Sequence, residues 1–189
     1  MPQGELYIRT KKTRLLTTGA AGLVESRPSG WPSLANGLQG NGWVDTYLRY
    51  GLSLEDGARS KLMTPSPCKE PTSVSSEDKH GVAYAGYTVG KRDANSFSFE
   101  VHITAPTKAD FEAKLQLFKS EVLECQYGQL RLCTTAGNSD QSQFVRHLLF
   151  MRCDSFREFR LEMAKFDVAV IEPHPEKTDE DESPFTRIP

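Results

Sequence analysis

A chain of 189 residues with 38% apolar and 25% charged residues has material for one core with generous loops. Its net charge of −2 argues against a general nucleic-acid binder, while leaving room for a local basic patch. No apolar run approaches the roughly 18 residues of a membrane span, and MPQGELYIRTKK lacks the apolar segment of a secretory signal.

In chain order, Glu5 to Thr17 places Leu6 and Ile8 on one side and then clusters Arg9, Lys11, Lys12 and Arg14. Two readings fit: an edge strand blunted by lysines, or an arm that meets a neighbouring subunit. Ser26 to Gly42 is dense in Gly, Pro, Ser and Asn and is expected to be an irregular loop, with Trp31 either pinned to the surface or offered to a partner. Trp43 to Leu54 resumes apolar alternation, broken at Gly51, and predicts a strand or a bent pair. Asp56-Gly57 signals a hairpin turn. From Ser60 to His80 the prolines Pro65, Pro67 and Pro71 predict a long loop with no helix or central strand. Loops of that length usually bind something or stay disordered. Val82 to Val89 reads as a strand, and Gly90 to Asp93 as a turn.

The stretch from Ser96 to Leu123 organises the rest. Phe97, Phe99, Val101 and Ile103 alternate with Ser96, Ser98, Glu100, His102 and Thr104, which predicts a half-buried strand. Pro106 stops it. Thr107 then offers an N-cap hydroxyl, Asp110 approximates a capping box, and Phe111, Leu115, Phe118 and Val122 form one apolar stripe. The predicted helix spans about 107–124, with Gly128 placed to make a left-handed stop.

Further on, Gln129 to Thr134 and Phe144 to Arg152 read as strands around a polar turn at Ala136 to Gln141. Phe159, Leu161 and Met163 alternate, and Phe166, Val168 and Val170 follow in opposite parity, which predicts a bulge at Ala164-Lys165. Pairing should end at Glu172-Pro173-His174-Pro175, ahead of a charged tail at 176–189. Seven or eight strands, one good helix and no βαβ rhythm define a mainly β, α+β domain over 1–175. An antiparallel β-sandwich or a curved sheet is expected, with the amphipathic helix packed on it and long loops at 26–42 and 60–80.

Chemistry is hard to find. His80, His102, His147 and His174 have no metal-ligand spacing, no serine sits in G-x-S-x-G, and Gly37 to Gly42 lacks the Lys-Ser/Thr of a phosphate loop. Cys68, Cys125, Cys133 and Cys153 lie far apart and read as reduced thiols of a protein made in a cytosol. No enzyme, cofactor or metal is expected.

The order of pieces does resemble a known family. The alternating strand KRDANSFSFEVHITA runs straight into the helix TKADFEAKLQLFKSEVL; YGQLRLC and HLLFMRC follow, and the last strand leaves through Glu172-Pro173-His174-Pro175. From about Gly86 to Pro175 this is similar to the N-terminal ring-forming domain of phage distal tail proteins and their baseplate-hub relatives. The resemblance implies a β-sandwich with a helix, assembled as a ring (six copies in the family) at the tip of a long tail. Such a ring joins tail tube to hub or fibre proteins, belongs to the virion, is assembled in the bacterial cytoplasm, meets DNA only in passage and needs no membrane. Candidate subunit-interface residues are Arg9, Lys11, Lys12, Arg14, Trp31, Pro65, Pro67 and Pro71. Alternatives are a tail tube or tail terminator ring, and a monomeric carbohydrate-binding β-sandwich using exposed Trp31, Trp43 and Tyr87.

Overall fold

The computed structural model of the chain describes residues 5–18, 37–38, 42–68, 72–75, 82–85, 92–133, 143–153, 156–173 and 175. Trp31, Pro71 and Tyr87, most of the 26–42 loop and all of the 176–189 tail lie outside these residues. Ten strands are β1 (Leu6–Thr10), β2 (Val44–Asp45), β3 (Leu52–Leu54), β4 (Thr72–Ser75), β5 (Val82–Ala85), β6 (Asn95–Thr104), β7 (Tyr127–Cys133), β8 (Gln143–Cys153), β9 (Glu158–Arg160) and β10 (Met163–Glu172). Four helices join them: α1 (Lys11–Thr18), α2 (Thr46–Tyr50), α3 (Ala58–Met63) and α4 (Lys108–Phe118), the last continued by a π-helical turn over Lys119–Leu123.

Eight strands form one antiparallel sheet in the order β2-β1-β7-β8-β10-β6-β3, with β9 paired to β10 beside that path. The sheet is curled into a half-barrel, so of the two expected architectures the curved sheet is the observed one. β6 and β10 pair along their full length, from Asn95↔Glu172 to Thr104↔Met163. Phe99, Val101 and Ile103 face inward with Ala164, Phe166, Val168 and Val170, all at most 3% exposed.

α4 closes the hollow of the sheet. Thr107 is its N-cap, its Oγ1 accepting the Asp110 N–H at 3.2 Å, and its hydroxyl donates to Asp110 Oδ2 at 2.8 Å. The predicted stripe Phe111, Leu115, Phe118 and Val122 is buried, joined by Ala113 and Leu117. Phe118 meets Tyr50 and Phe166 edge-on or tilted, at 5.6 and 6.1 Å. Burying each of the four stripe residues stabilises the fold by ~1.5–3 kcal/mol before entropy, so the helix is integral to the core.

Several expectations are corrected. The basic cluster is not an edge strand: β1 lies inside the sheet between β2 and β7, and Lys11 to Thr18 is helical. There Thr10 and Thr13 cap each other, Thr13 Oγ1 accepting the Thr10 N–H at 2.8 Å and Thr10 Oγ1 the Thr13 N–H at 3.3 Å. Trp43 to Leu54 is two short strands separated by α2, whose ends are fixed by an Asp45 N-cap and by Gly51 at φ 65°. Asp56-Gly57 leads into α3 instead of a hairpin, and the proline-containing stretch 60–80 holds the end of α3 and all of β4. Gly128 does not stop α4. Gln126 takes the positive φ, 57°, and Gly128 sits in β7, where a Cβ would come within 2.9 Å of Phe150 and 3.1 Å of the Arg9 carbonyl.

The parity change near Ala164 is a hairpin rather than a bulge. Leu161-Glu162 is its two-residue loop, and Arg160 pairs with Met163. The bulge is elsewhere: on β8 the partners of Ala169 and Val170 are Arg152 and Phe150, which leaves Met151 as the extra residue.

Candidate functional site

Two faces of the sheet carry polar side chains in organised sets. On the back of β1, β7 and β8, away from α4, register aligns Arg9 with Gln129 and Gln129 with His147. Arg9 Nε donates to Gln129 Oε1 at 2.5 Å. Gln129 Nε2 lies 3.4 Å from His147 Nδ1, and the Tyr127 hydroxyl lies 3.2 Å from the same nitrogen. The Gln129 amide nitrogen also lies 3.5 Å from His147 Nε2, so it spans both ring nitrogens of the buried imidazole. Burial pushes the Tyr127 phenol up to about 12.

The next row of the ladder is Tyr7, Arg131 and Val145. Trp43 spans both rows. The Arg9 and Arg131 guanidiniums stand 4.7 and 4.5 Å from its ring, and Arg131 also stacks 4.6 Å from Tyr7. Trp43 is only 2% exposed. That corrects its expected use as an exposed sugar-stacking ring: Val44 beside it pairs into the sheet, which turns the indole onto the back of β1 and β7.

On the outer face of β6 and β10, charges pair across strands. Glu55 Oε1 lies 2.6 Å from His102 Nδ1 and 3.3 Å from Lys165 Nζ. Arg157 reaches Asp167 at 2.6 Å and Glu100 at 3.5 Å. Partly exposed pairs of this kind contribute ~0–1 kcal/mol each.

Inside the core two ion pairs position whole elements. The π-helical turn, marked by the Glu124 N–H bonding to the Lys119 carbonyl at 2.9 Å, rotates Glu121 inward. Its carboxylate takes Arg49 Nε and Nη2 at 2.7 and 2.6 Å and the Tyr50 hydroxyl at 2.9 Å. Thr10 Oγ1 donates to the Glu121 carbonyl at 2.7 Å, satisfying an orphan acceptor of the last turn. Burial lowers the Arg49 pKa, but the Glu121 carboxylate outweighs this and leaves it raised above its ordinary value. Burial and the Glu121 charge together push the Tyr50 phenol well above its own.

The second pair holds the proline segment. Glu172 Oε1 lies 3.4 Å from Arg146 Nε, and Glu172 Oε2 accepts the Ser66 hydroxyl at 2.5 Å. Arg146 donates to the Thr64 carbonyl, and Arg92 donates to the Ser66 carbonyl at 2.5 Å. Burial holds the Arg146 guanidinium below its ordinary range, with Glu172 opposing. The acidic residue of the Glu-Pro-His-Pro exit is therefore an anchor for residues 64–66.

The predicted interface residues are scattered. Arg9 is 6% exposed inside its own fold; Lys11 and Lys12 are exposed on α1, with Lys12 Nζ 3.2 Å from Glu124. Arg14 is half-buried, and Pro65 and Pro67 are exposed on the anchored segment. Sequence reasoning missed Gln129, Tyr127 and Arg131, whose alignment depends on the register of three strands. It also missed Phe156, Phe159 and Leu161, which are 37, 61 and 69% exposed. Among the described residues no three His, Cys, Asp or Glu side chains converge as a metal site, and no helix is long and apolar enough to cross a membrane.

No protein-family model matches the chain, and no curated protein matches it.

Proposed function

We propose that this chain is a structural protein of a long phage tail, forming a ring at the tail tip that connects the tail tube to the baseplate hub or fibres. The observation that carries the reading is the β4–β5 pair, which among the described residues forms a two-stranded sheet separate from the eight-stranded one. A lone hairpin is marginal in water. It becomes useful when it has another surface to rest on, and a ring supplies one because each copy meets a different surface of the next.

Three further features support it. The polar sets described above are structural ion pairs, a stacked Trp43 and surface charge ladders, all suited to fixing surfaces in place. A half-barrel with one helix in its hollow suits the strand-and-helix order in which the resemblance lies. The anchoring of residues 64–66 by Glu172 gives the hairpin a firm base. Against the carbohydrate-binding alternative stands the burial of Trp43.

The test is the mass of the purified protein by light scattering, followed by negative-stain images. The reading expects a closed ring, six copies by resemblance, with a central opening. Single copies at every concentration overturn it.

A further inference from the structure

α1 shows solvent a mixed basic and apolar face. Thr13 is buried, bonded to Thr10, while Lys11, Lys12 and Leu15 are exposed. Leu15 stands four residues from Lys11 and three from Lys12, so the three share one side of the helix. Among the described residues the two lysines have one carboxylate between them, Glu124, which lies 3.2 Å from Lys12 Nζ and is itself 64% exposed. Adjacent cations beside an exposed leucine fit an acidic segment that ends in an apolar group.

The chain carries such a segment. Residues 176–189 hold Glu176, Asp179, Glu180, Asp181 and Glu182 against Lys177 and Arg187. Asp179 to Glu182 is an unbroken acidic run, and Phe185 follows it.

Strand register brings the two within reach. Ile171 pairs with Leu149, Leu149 with Tyr127, and in the next row Gly128 pairs with Thr10. The end of β10 and the end of β1 are therefore level, three strand spacings or about 14 Å apart across the sheet. Asp179 to Glu182 lie seven to ten residues beyond Glu172, a reach of roughly 23–36 Å when extended, which leaves slack for a turn at Pro173 and Pro175. Arg92, at the same end of the sheet, is already committed to the Ser66 carbonyl.

We propose that Asp179–Glu182 folds back onto Lys11 and Lys12 of its own copy, with Phe185 against Leu15, as an autoinhibitory contact that withholds α1 from other copies until assembly displaces it. The contact itself goes beyond the ring reading. The withholding rests on that reading, because Lys11 and Lys12 belong to the segment expected to meet a neighbouring subunit.

The experiment treats the full chain, as a mixture of 15N-labelled and unlabelled copies dilute enough to stay single, with a water-soluble carbodiimide. The reagent joins a lysine amine to a carboxylate in ion-pair contact as an amide, and itself takes up the water lost. Mass spectrometry should find Lys11 or Lys12 joined to a residue within 179–182 of the same isotopic form. The link between Lys12 and Glu124 serves as the control. The control link without the tail link overturns the proposal, as does a tail link found only between different isotopic forms, or one made to Lys61 instead. In a second arm Asp179→Asn, Glu180→Gln, Asp181→Asn and Glu182→Gln are changed together, with far-UV circular dichroism to verify an unchanged fold. Light scattering should then show assembly at about three- to tenfold lower concentration, the worth of one or two exposed ion pairs. An unchanged or higher concentration overturns the withholding. Parent and variant that both stay single at every concentration overturn the ring reading and the withholding together, and the cross-link alone then decides the contact.

Discussion

Arg49 and Glu121, 72 positions apart in the chain, face each other in the core as a two-pronged ion pair, with Nε and Nη2 of the arginine on the two carboxylate oxygens. The side chains are 0 and 5% exposed. Because they belong to α2 and to the π-helical end of α4, their geometry fixes how the helix seats in the hollow of the sheet.

Removing one partner leaves a buried charge without its complement. Glu121→Gln should lower unfolding free energy by about 3–5 kcal/mol in urea titrations. Changing both, Arg49→Met with Glu121→Leu, should recover much of that loss, since apolar groups of similar volume carry no desolvation cost. A double variant as unstable as the single would show that the hydrogen bonds, and not the isolated charge, set the cost.

Glu172→Gln should act locally. Loss of the carboxylate that holds Ser66 and faces Arg146 frees residues 64–68, and the Asp93 N–H that bonds to the Pro67 carbonyl at 3.1 Å loses its shelter. Amide exchange at Asp93 should quicken more than exchange in β1 or β7. Equal acceleration everywhere would mean that Glu172 serves global stability alone.

At high pH the half-buried phenol of Tyr127 should weaken the fold. Its folded value lies near 12 and its unfolded value near the ordinary 10. Below 10 both states keep the proton, and the contribution is whole. Between 10 and 12 only the unfolded state releases it, so stability falls across that window and levels above it. Tyr127→Phe, compared with the parent by urea midpoints from pH 9 to 12, should show a shallower decline; parallel slopes would contradict the assignment.

Two glycines should be intolerant of alanine to different degrees. At Gly51 a Cβ would stand 2.2 Å from the Thr104 carbonyl, and the backbone is at φ 65°. At Gly128 the nearest contact is 2.9 Å, to the edge of the Phe150 ring, and no positive φ is involved. Thermal melts should rank Gly51→Ala as the more damaging, with Gly128→Ala costing about 1–3 kcal/mol through overpacking.

The parts of this fold that sequence made legible are those governed by neighbours in the chain. Phe97 to Ile103 alternates and pairs as a strand; Thr107 caps the helix it was expected to cap; Phe111, Leu115, Phe118 and Val122 are all buried. Leu130 and Leu132 share the inner face, and pairing ends at Glu172. The misreadings come from short elements. Five helical residues between Asp45 and Gly51 have less than two turns in which to show a period, yet an N-cap aspartate and a terminal glycine bracket them and were the signal to use. The alternation of Phe159, Leu161 and Met163 crosses a two-residue loop, and nothing in the pattern separates that from a bulge.

The polar sets were beyond reach for another reason. Arg9, Gln129 and His147 become neighbours only when three strands adopt one register, and Glu121 turns inward only because the helix widens by one residue at its end. Neither event has a local signature. Trp43 was legible as a large aromatic after a glycine-rich stretch; its burial between two arginines was not.

The placement of β10 bears on how the polypeptide is made. Among the described strands it comes last in the order of synthesis, and it stands between β8 and β6 at the heart of the sheet. Until residue 172 clears the ribosome, those two strands have no common partner, and each presents an open flank. Nascent chains that stop short of this residue should therefore cling to chaperones or clump, and the emergence of β10 should be the moment at which the two halves snap together.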